Sequence, residues 1–176
     1  MQLLVSPLVS AIAAGNCVVL KPSELAPRTA EAVAALVRDT FAPEFVSVLT
    51  GGADAAEALL TERFDKIFFT GSTRVGRLVM AAAAPNLTPV TLELGGKSPL
   101  LVLADADIDE AVQAAHLSIF FFQGQACMGA SRIFLQRAIA EEFTEKFRAA
   151  ALNSQMSDLR DIGTSIGPII SERQRE

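Results

Sequence analysis

Apolar positions along the chain fall into alternating patterns. Residues 17–20 form a short continuous apolar run, the pattern of a strand buried on both faces. Runs at 45–49 and 66–69 read as the next two strands. Between them the apolar residues recur at helical spacing. Ala30, Val33, Ala34 and Val37 lie along one side of a helix predicted over 27–40, opened by Pro27. Further helices are predicted over 8–14, stopped by Gly15-Asn16, over 54–60 and over 74–84. This β-α-β-α-β-α order with short links predicts a parallel sheet with helices on both faces. Ligands of such sheets bind beyond the carboxyl ends of the strands. The links 21–24, 50–52 and 70–73 lie at those ends.

The pattern changes in the second half. A strand over 89–94 breaks at Gly95-Gly96, and 100–103 reads as another buried strand. Acids at 105–109 cap a helix through about residue 119, where they meet its positive end. A strand over 132–136, an amphipathic helix over 139–152 and a polar loop over 153–166 follow. The last residues, 169–176, turn polar as though a helix were beginning. The domain change falls near 94–97, giving domains 1–94 and 95–176. Both ends read as cuts through a larger protein.

Composition narrows the classes. Hydrophobic residues make up 51% of 176, which excludes disorder and calls for large buried surfaces. A formal charge of −5 gives no reason to expect nucleic acid or an anionic membrane as partner. The apolar start is shorter than the roughly 20 residues a bilayer requires and lacks a basic leader. Cys17 and Cys127 are the only cysteines, so a reducing, cytoplasmic setting fits better than a disulfide framework. No metal-ligand cluster is expected.

Four groups of residues could carry chemistry. Cys127 stands in Gly124-Gln125-Ala126-Cys127-Met128-Gly129, after three phenylalanines. Flanking glycines let the backbone come close to a ligand, and a thiol there could attack an electrophilic carbon. The bland alternative is a small buried hydrophobe. Glu93 is a lone acid among apolar strand residues, where burial would raise its pKa toward general-base work. The alternative is a structural pair with Lys97 or an arginine. Thr70-Gly71-Ser72-Thr73-Arg74-Val75-Gly76 joins a strand to a helix start, where free N–H groups attract phosphate; a plain capped turn reads equally well. Its G-x-x-x-x-G spacing is neither the Rossmann fingerprint nor a P-loop. Lys21 and Glu24 suit ribose hydroxyls, or are two solvated charges. A carboxylate there would repel a 2′-phosphate, favouring NAD over NADP. His116, the only histidine, packs or faces solvent more readily than it catalyses, and Phe120, Phe121 and Phe122 suit core better than a substrate tunnel.

In combination the motifs are specific. Lys-Pro-Ser-Glu (21–24), Phe-Thr-Gly-Ser-Thr-x-x-Gly (69–76), Leu-Glu-Leu-Gly-Gly-Lys-Ser-Pro (92–99) and Gly-Gln-x-Cys (124–127) occur in that order. Together they closely resemble the NAD(P)-dependent aldehyde dehydrogenase superfamily, over nearly the whole chain and under half of the family's length. The resemblance implies a Rossmann-like α/β cofactor-binding sheet, then part of a second α/β catalytic domain. It implies that Cys127 attacks an aldehyde, hydride passes to NAD (NADP possible), and Glu93 activates the water that releases a carboxylic acid. It matches Lys21, Ser23 and Glu24 to the adenine-side ribose, Gly71, Ser72 and Gly76 to the pyrophosphate, and Leu94 to a backbone position beside the nicotinamide.

The chain also departs from the family pattern. An upstream Trp-Asn, a downstream Glu-x-Phe-Gly-Pro and the strand through which subunits pair fall outside it. The resemblance thus implies a homo-oligomer for the longer protein and little activity for this segment alone, since one lost oxyanion donor costs roughly 100-fold to 1,000-fold. Phe122 replaces a usually polar residue. The alternatives are an inactive remnant of a nucleotide fold and a CoA-acylating relative, against which Glu93 argues.

Overall fold

A computed structural model of the chain describes residues 1–176 except Gln155, Ser157, Leu159 and Ser165. Part of the loop expected over 153–166 therefore lies outside the described residues. The chain is α/β and divides into two compact units, Met1–Leu94 and Gly95–Glu176.

The first unit runs α1 (Gln2–Ala13), β1 (Val18–Leu20), α2 (Pro27–Thr40), β2 (Val46–Val48), α3 (Ala53–Leu60), β3 (Ile67–Gly71), α4 (Thr73–Ala83) and β4 (Val90–Leu94). Helix α1 begins six residues before the predicted start and passes through Pro7. Pro7 lies one turn in, so its missing N–H removes a single bond to Leu3, while Leu4 and Leu8 anchor the helix against the core. Helix α2 buries Ala30, Val33, Ala34 and Val37, the stripe read from spacing. Val33 and Val37 meet Leu8, Leu20 and Val46 in one apolar cluster.

The strands pair in parallel, but as three separate pairs rather than one sheet: β1 with β2, β3 with β4, and, in the second unit, β5 (Pro99–Val102) with β6 (Arg132–Leu135). Apolar runs show that a strand is covered; they carry no record of which strand lies beside it. Nor is β1 covered on both faces. Val18 and Leu20 face the α1–α2 cluster, while Val19 is 42% exposed. Strand β3 runs two residues past its predicted end, because Thr70 and Gly71 pair with Glu93 and Leu94.

The second unit runs β5 (Pro99–Val102), α5 (Ile108–Phe120), β6 (Arg132–Leu135), α6 (Ala140–Leu152) and α7 (Glu172–Arg175). Asp107 caps α5, accepting from the Glu110 N–H at 3.0 Å. Val102, Val112, Ala115, Ile139 and Phe143 form its core, backed by Leu100, Ile133 and Leu135. Leu101, expected in a buried strand, is 67% exposed because alternate residues of β5 point away from α5 and α6. The His116 ring packs 4.8 Å from Phe120, and its Nε2 lies 2.7 Å from Ser154 Oγ. Phe120 stacks toward Phe147 at 6.3 Å. Phe121 and Phe122 do not join the core: α5 ends before them, and both are exposed, ring against ring at 4.3 Å.

Candidate functional site

Cys127 sits on the loop between α5 and β6. After Phe120 the backbone turns left-handed at Phe122 (φ 48°), Gln123 (φ 59°) and Gly124 (φ 75°). For the two side-chain-bearing residues this conformation costs about 1 to 3 kcal/mol each. Hydrogen bonds hold it. The Gln125 backbone N–H donates to the Phe122 carbonyl at 3.1 Å, and the Gln125 side-chain amide donates to the same carbonyl at 2.9 Å. Gln125 Oε1 accepts from the Ile170 N–H at 2.9 Å. Further along, Ser118 Oγ on α5 accepts from the Ala130 N–H at 3.0 Å.

The loop lines an open cleft of about 440 Å³ together with Gly95, Gly96 and Lys97. Cys127 is an exposed free thiol, not the buried hydrophobe of the bland reading. Among the described residues its own N–H and that of Met128 donate to no protein group, so both are available to an oxyanion. Arg132 at the start of β6 donates through Nε (2.9 Å) and a terminal nitrogen (2.6 Å) to the Lys97 carbonyl. The guanidinium also lies 5.6 Å from the Phe134 ring centroid. A Cβ added at Gly95 or Gly96 would meet nothing within 4 Å. At Gly129 it would come within 3.1 Å of the Ser118 carbonyl and 3.2 Å of the Ala126 carbonyl. Both are backbone atoms with little freedom to retreat. Gly129→Ala is therefore expected to cost about 1 to 3 kcal/mol, read from the urea midpoint.

In the first unit the candidate residues fall into two groups, each at carboxyl ends of strands. Lys21, Ser23 and Glu24 follow β1. Lys21 Nζ pairs with Glu24 at 3.0 Å, so these are not two independent solvated charges. A hydrogen bond from its own backbone N–H and then the Lys21 ammonium hold the Glu24 carboxyl below its ordinary value, keeping it ionised. Ser23 Oγ accepts from the Leu25 N–H. The second group lies on the β3–β4 pair, where Gly71 stands opposite Leu94 and Thr70 opposite Glu93. Gly71 is the last strand residue rather than part of the loop. Ser72 caps α4 through Val75 N–H. Among the described residues the N–H groups of Thr73 and Arg74 have no backbone partner at the helix start. Gly76 brings α4 down on β4: its added Cβ would lie 3.1 Å from Leu94 Cδ2.

Glu93 is exposed, contrary to the burial expected from its apolar neighbours. Leu92 and Leu94 lie against Gly76, and alternation along β4 turns Glu93 to the other face. Among the described residues it makes no ion pair, with Lys97 or any arginine. Sequence reasoning assigned no role to Gln125, Ser118 or Arg132. Gln125 lay inside a quoted motif, but Ile170 and Lys97 stand 45 and 35 residues from their partners, beyond any local pattern. Among the described residues no helix is long and apolar enough to cross a membrane.

The aldehyde dehydrogenase family model matches residues 1–176. A rat relative, "Aldehyde dehydrogenase, cytosolic 1", is 44% identical over 169 residues, covering 94% of this chain and 34% of its own length. "Aldehyde dehydrogenase 2, mitochondrial" of Saccharomyces cerevisiae is 48% identical over 164 residues, covering 91% of this chain and 32% of its own. Among solved structures, the substrate-bound state of Staphylococcus aureus AldH superposes with a TM-score of 0.87 at 33% identity, over 97% of this chain and 37% of that one. The chain thus spans about a third of the length of the curated relatives it matches. It belongs to the aldehyde dehydrogenase family.

Proposed function

We propose that this chain is the segment of an NAD(P)-dependent aldehyde dehydrogenase that carries the nucleophile, the base and half of the cofactor cradle. The observation that carries the reading is the exposed Cys127 thiol on a loop whose neighbouring N–H groups are free. The Cys127 thiolate adds to the aldehyde carbon, and the N–H groups of Cys127 and Met128 hold the oxyanion of the resulting thiohemiacetal. When bound, the nicotinamide accepts hydride from that carbon. Collapse of the oxyanion leaves a thioester on Cys127. Glu93 takes a proton from water, the hydroxide adds to the thioester, and the carboxylic acid departs with the thiolate restored.

The unit 1–94 would hold the cofactor. Unpaired N–H groups at the start of α4 suit a pyrophosphate, after the turn at Gly71 and Ser72. Gly76 and Leu94 keep that helix close to β4. Lys21, Ser23 and Glu24 suit ribose hydroxyls. Because Glu24 is held ionised, a 2′-phosphate is repelled, so NAD is the preferred cofactor and NADP the poorer one. Homo-oligomer formation belongs to the longer protein. With two free thiols we place it in the cytoplasm, although the relatives carry both cytosolic and mitochondrial names.

Glu93→Gln in the full-length protein tests the assignment of the base. One rapid equivalent of NADH is expected to survive, while steady turnover falls about 100-fold to 10,000-fold. Stopped-flow absorbance reads both phases. Unchanged steady turnover removes Glu93 from the mechanism. Rapid turnover only with added CoA favours the acyl-transferring relative.

A further inference from the structure

The loop that carries Cys127 adopts three successive left-handed residues, two of them with side chains. Few contacts outside the loop hold it. Ser118 fixes its far end through the Ala130 N–H. At its near end the Gln125 backbone N–H closes the turn on the Phe122 carbonyl, and the Gln125 side-chain amide donates to that same carbonyl while its oxygen accepts from the Ile170 N–H. Gln125 thereby ties the turn before the cysteine to a segment 45 residues later. Cys127 follows two residues on, and among the described residues its N–H and that of Met128 have no partner. Lys97 is the charged side chain that lines the same cleft.

We propose that Gln125 is the positioning residue of Cys127: its amide bridge from Phe122 to Ile170 holds the loop in the conformation that presents the thiol to the cleft. This rests on the reading of Cys127 as the nucleophile. Gln125 touches no reacting atom. If the bridge is lost, Phe122 and Gln123 relax toward right-handed or extended backbone, and the loop no longer holds the thiol at the cleft. The thiol then reacts more slowly although it remains exposed. Loss of bulk alone predicts a different pattern, because an apolar residue of equal length would replace it.

The test is alkylation by iodoacetamide at neutral pH in the full-length protein, followed peptide by peptide by mass spectrometry. Cys17, an exposed thiol in the other unit, is the internal control. Gln125→Ala and Gln125→Met, which keeps the length but makes no bridge, are each expected to slow labelling of Cys127 about fivefold or more, with Cys17 changed by less than about twofold. Amide exchange at Ile170 should quicken in both variants. Wild-type labelling of Cys127 in Gln125→Met overturns the proposal in favour of simple packing. Equal changes at both cysteines overturn it in favour of general loosening. Should Gln125→Ala fail to fold, the methionine variant gives the same comparison. The parent reading fails separately, if a full-length Cys127→Ala protein still oxidises aldehydes.

Discussion

Cys127→Ala in the full-length protein is expected to remove both the burst and the steady formation of NADH, a loss of roughly four orders of magnitude or more. The reasoning is chemical. An aldehyde carbon gives up hydride readily once it is tetrahedral and carries a negative oxygen, and in the proposed mechanism the sulfur creates that state. Within this chain the other thiol is not placed to substitute. Cys17 lies at the amino-terminal end of β1, the end opposite to the strand ends that carry Lys21 and Glu24. Alanine at 127 leaves the backbone N–H donors and the Gln125 bridge in place, so binding of NAD should be little changed. Fluorescence titration of NAD alongside stopped-flow absorbance separates the two effects. A variant that binds NAD normally and still shows a burst removes Cys127 from the chemistry.

Phe143→Ala is expected to produce the largest loss of stability, about 3 to 5 kcal/mol. Phe143 on α6 is 2% exposed, the most deeply buried large side chain of the unit 95–176. Its ring stacks on Phe147 at 6.0 Å and 8° and packs in the cluster of Val102, Val112, Ala115 and Ile139. Truncation opens a cavity between α5, α6 and the β5–β6 pair. A domain is stable by about 5 to 15 kcal/mol in all, so this one change consumes a large share. The urea midpoint of the unit that carries Cys127 should fall accordingly. A shift of less than about 1 kcal/mol would mean that α6 is not the keystone of this core.

Much of the fold was legible. Helix α2 could be read from the spacing of Ala30, Val33, Ala34 and Val37, since a 3.6-residue period records which side is buried. Helix α5 was legible from its acidic start, because Asp107 is a local cap. Strand neighbours were not legible. The separation of β1–β2 from β3–β4 depends on contacts far apart in sequence, which an apolar run does not encode. Exposure of Val19 and Leu101 departs from the sequence pattern because their short apolar runs suggest buried strands, and the described helices cover one face; Glu93 departs because apolar neighbours on a strand do not fix which face an alternate residue takes. Cys127 and the link after β3 could be picked out because glycines and small polar residues mark turns. The Gln125–Ile170 and Arg132–Lys97 contacts could not, because each joins segments far apart along the chain.

The most direct measurement is the mass of the intermediate. The full-length Glu93→Gln protein is mixed with an aldehyde and NAD, quenched in acid and digested. The account predicts that the peptide containing Cys127 gains the mass of the aldehyde less two hydrogens, one acyl group per NADH formed. NADH formation with that peptide unmodified, or with the acyl group on another residue, would contradict it.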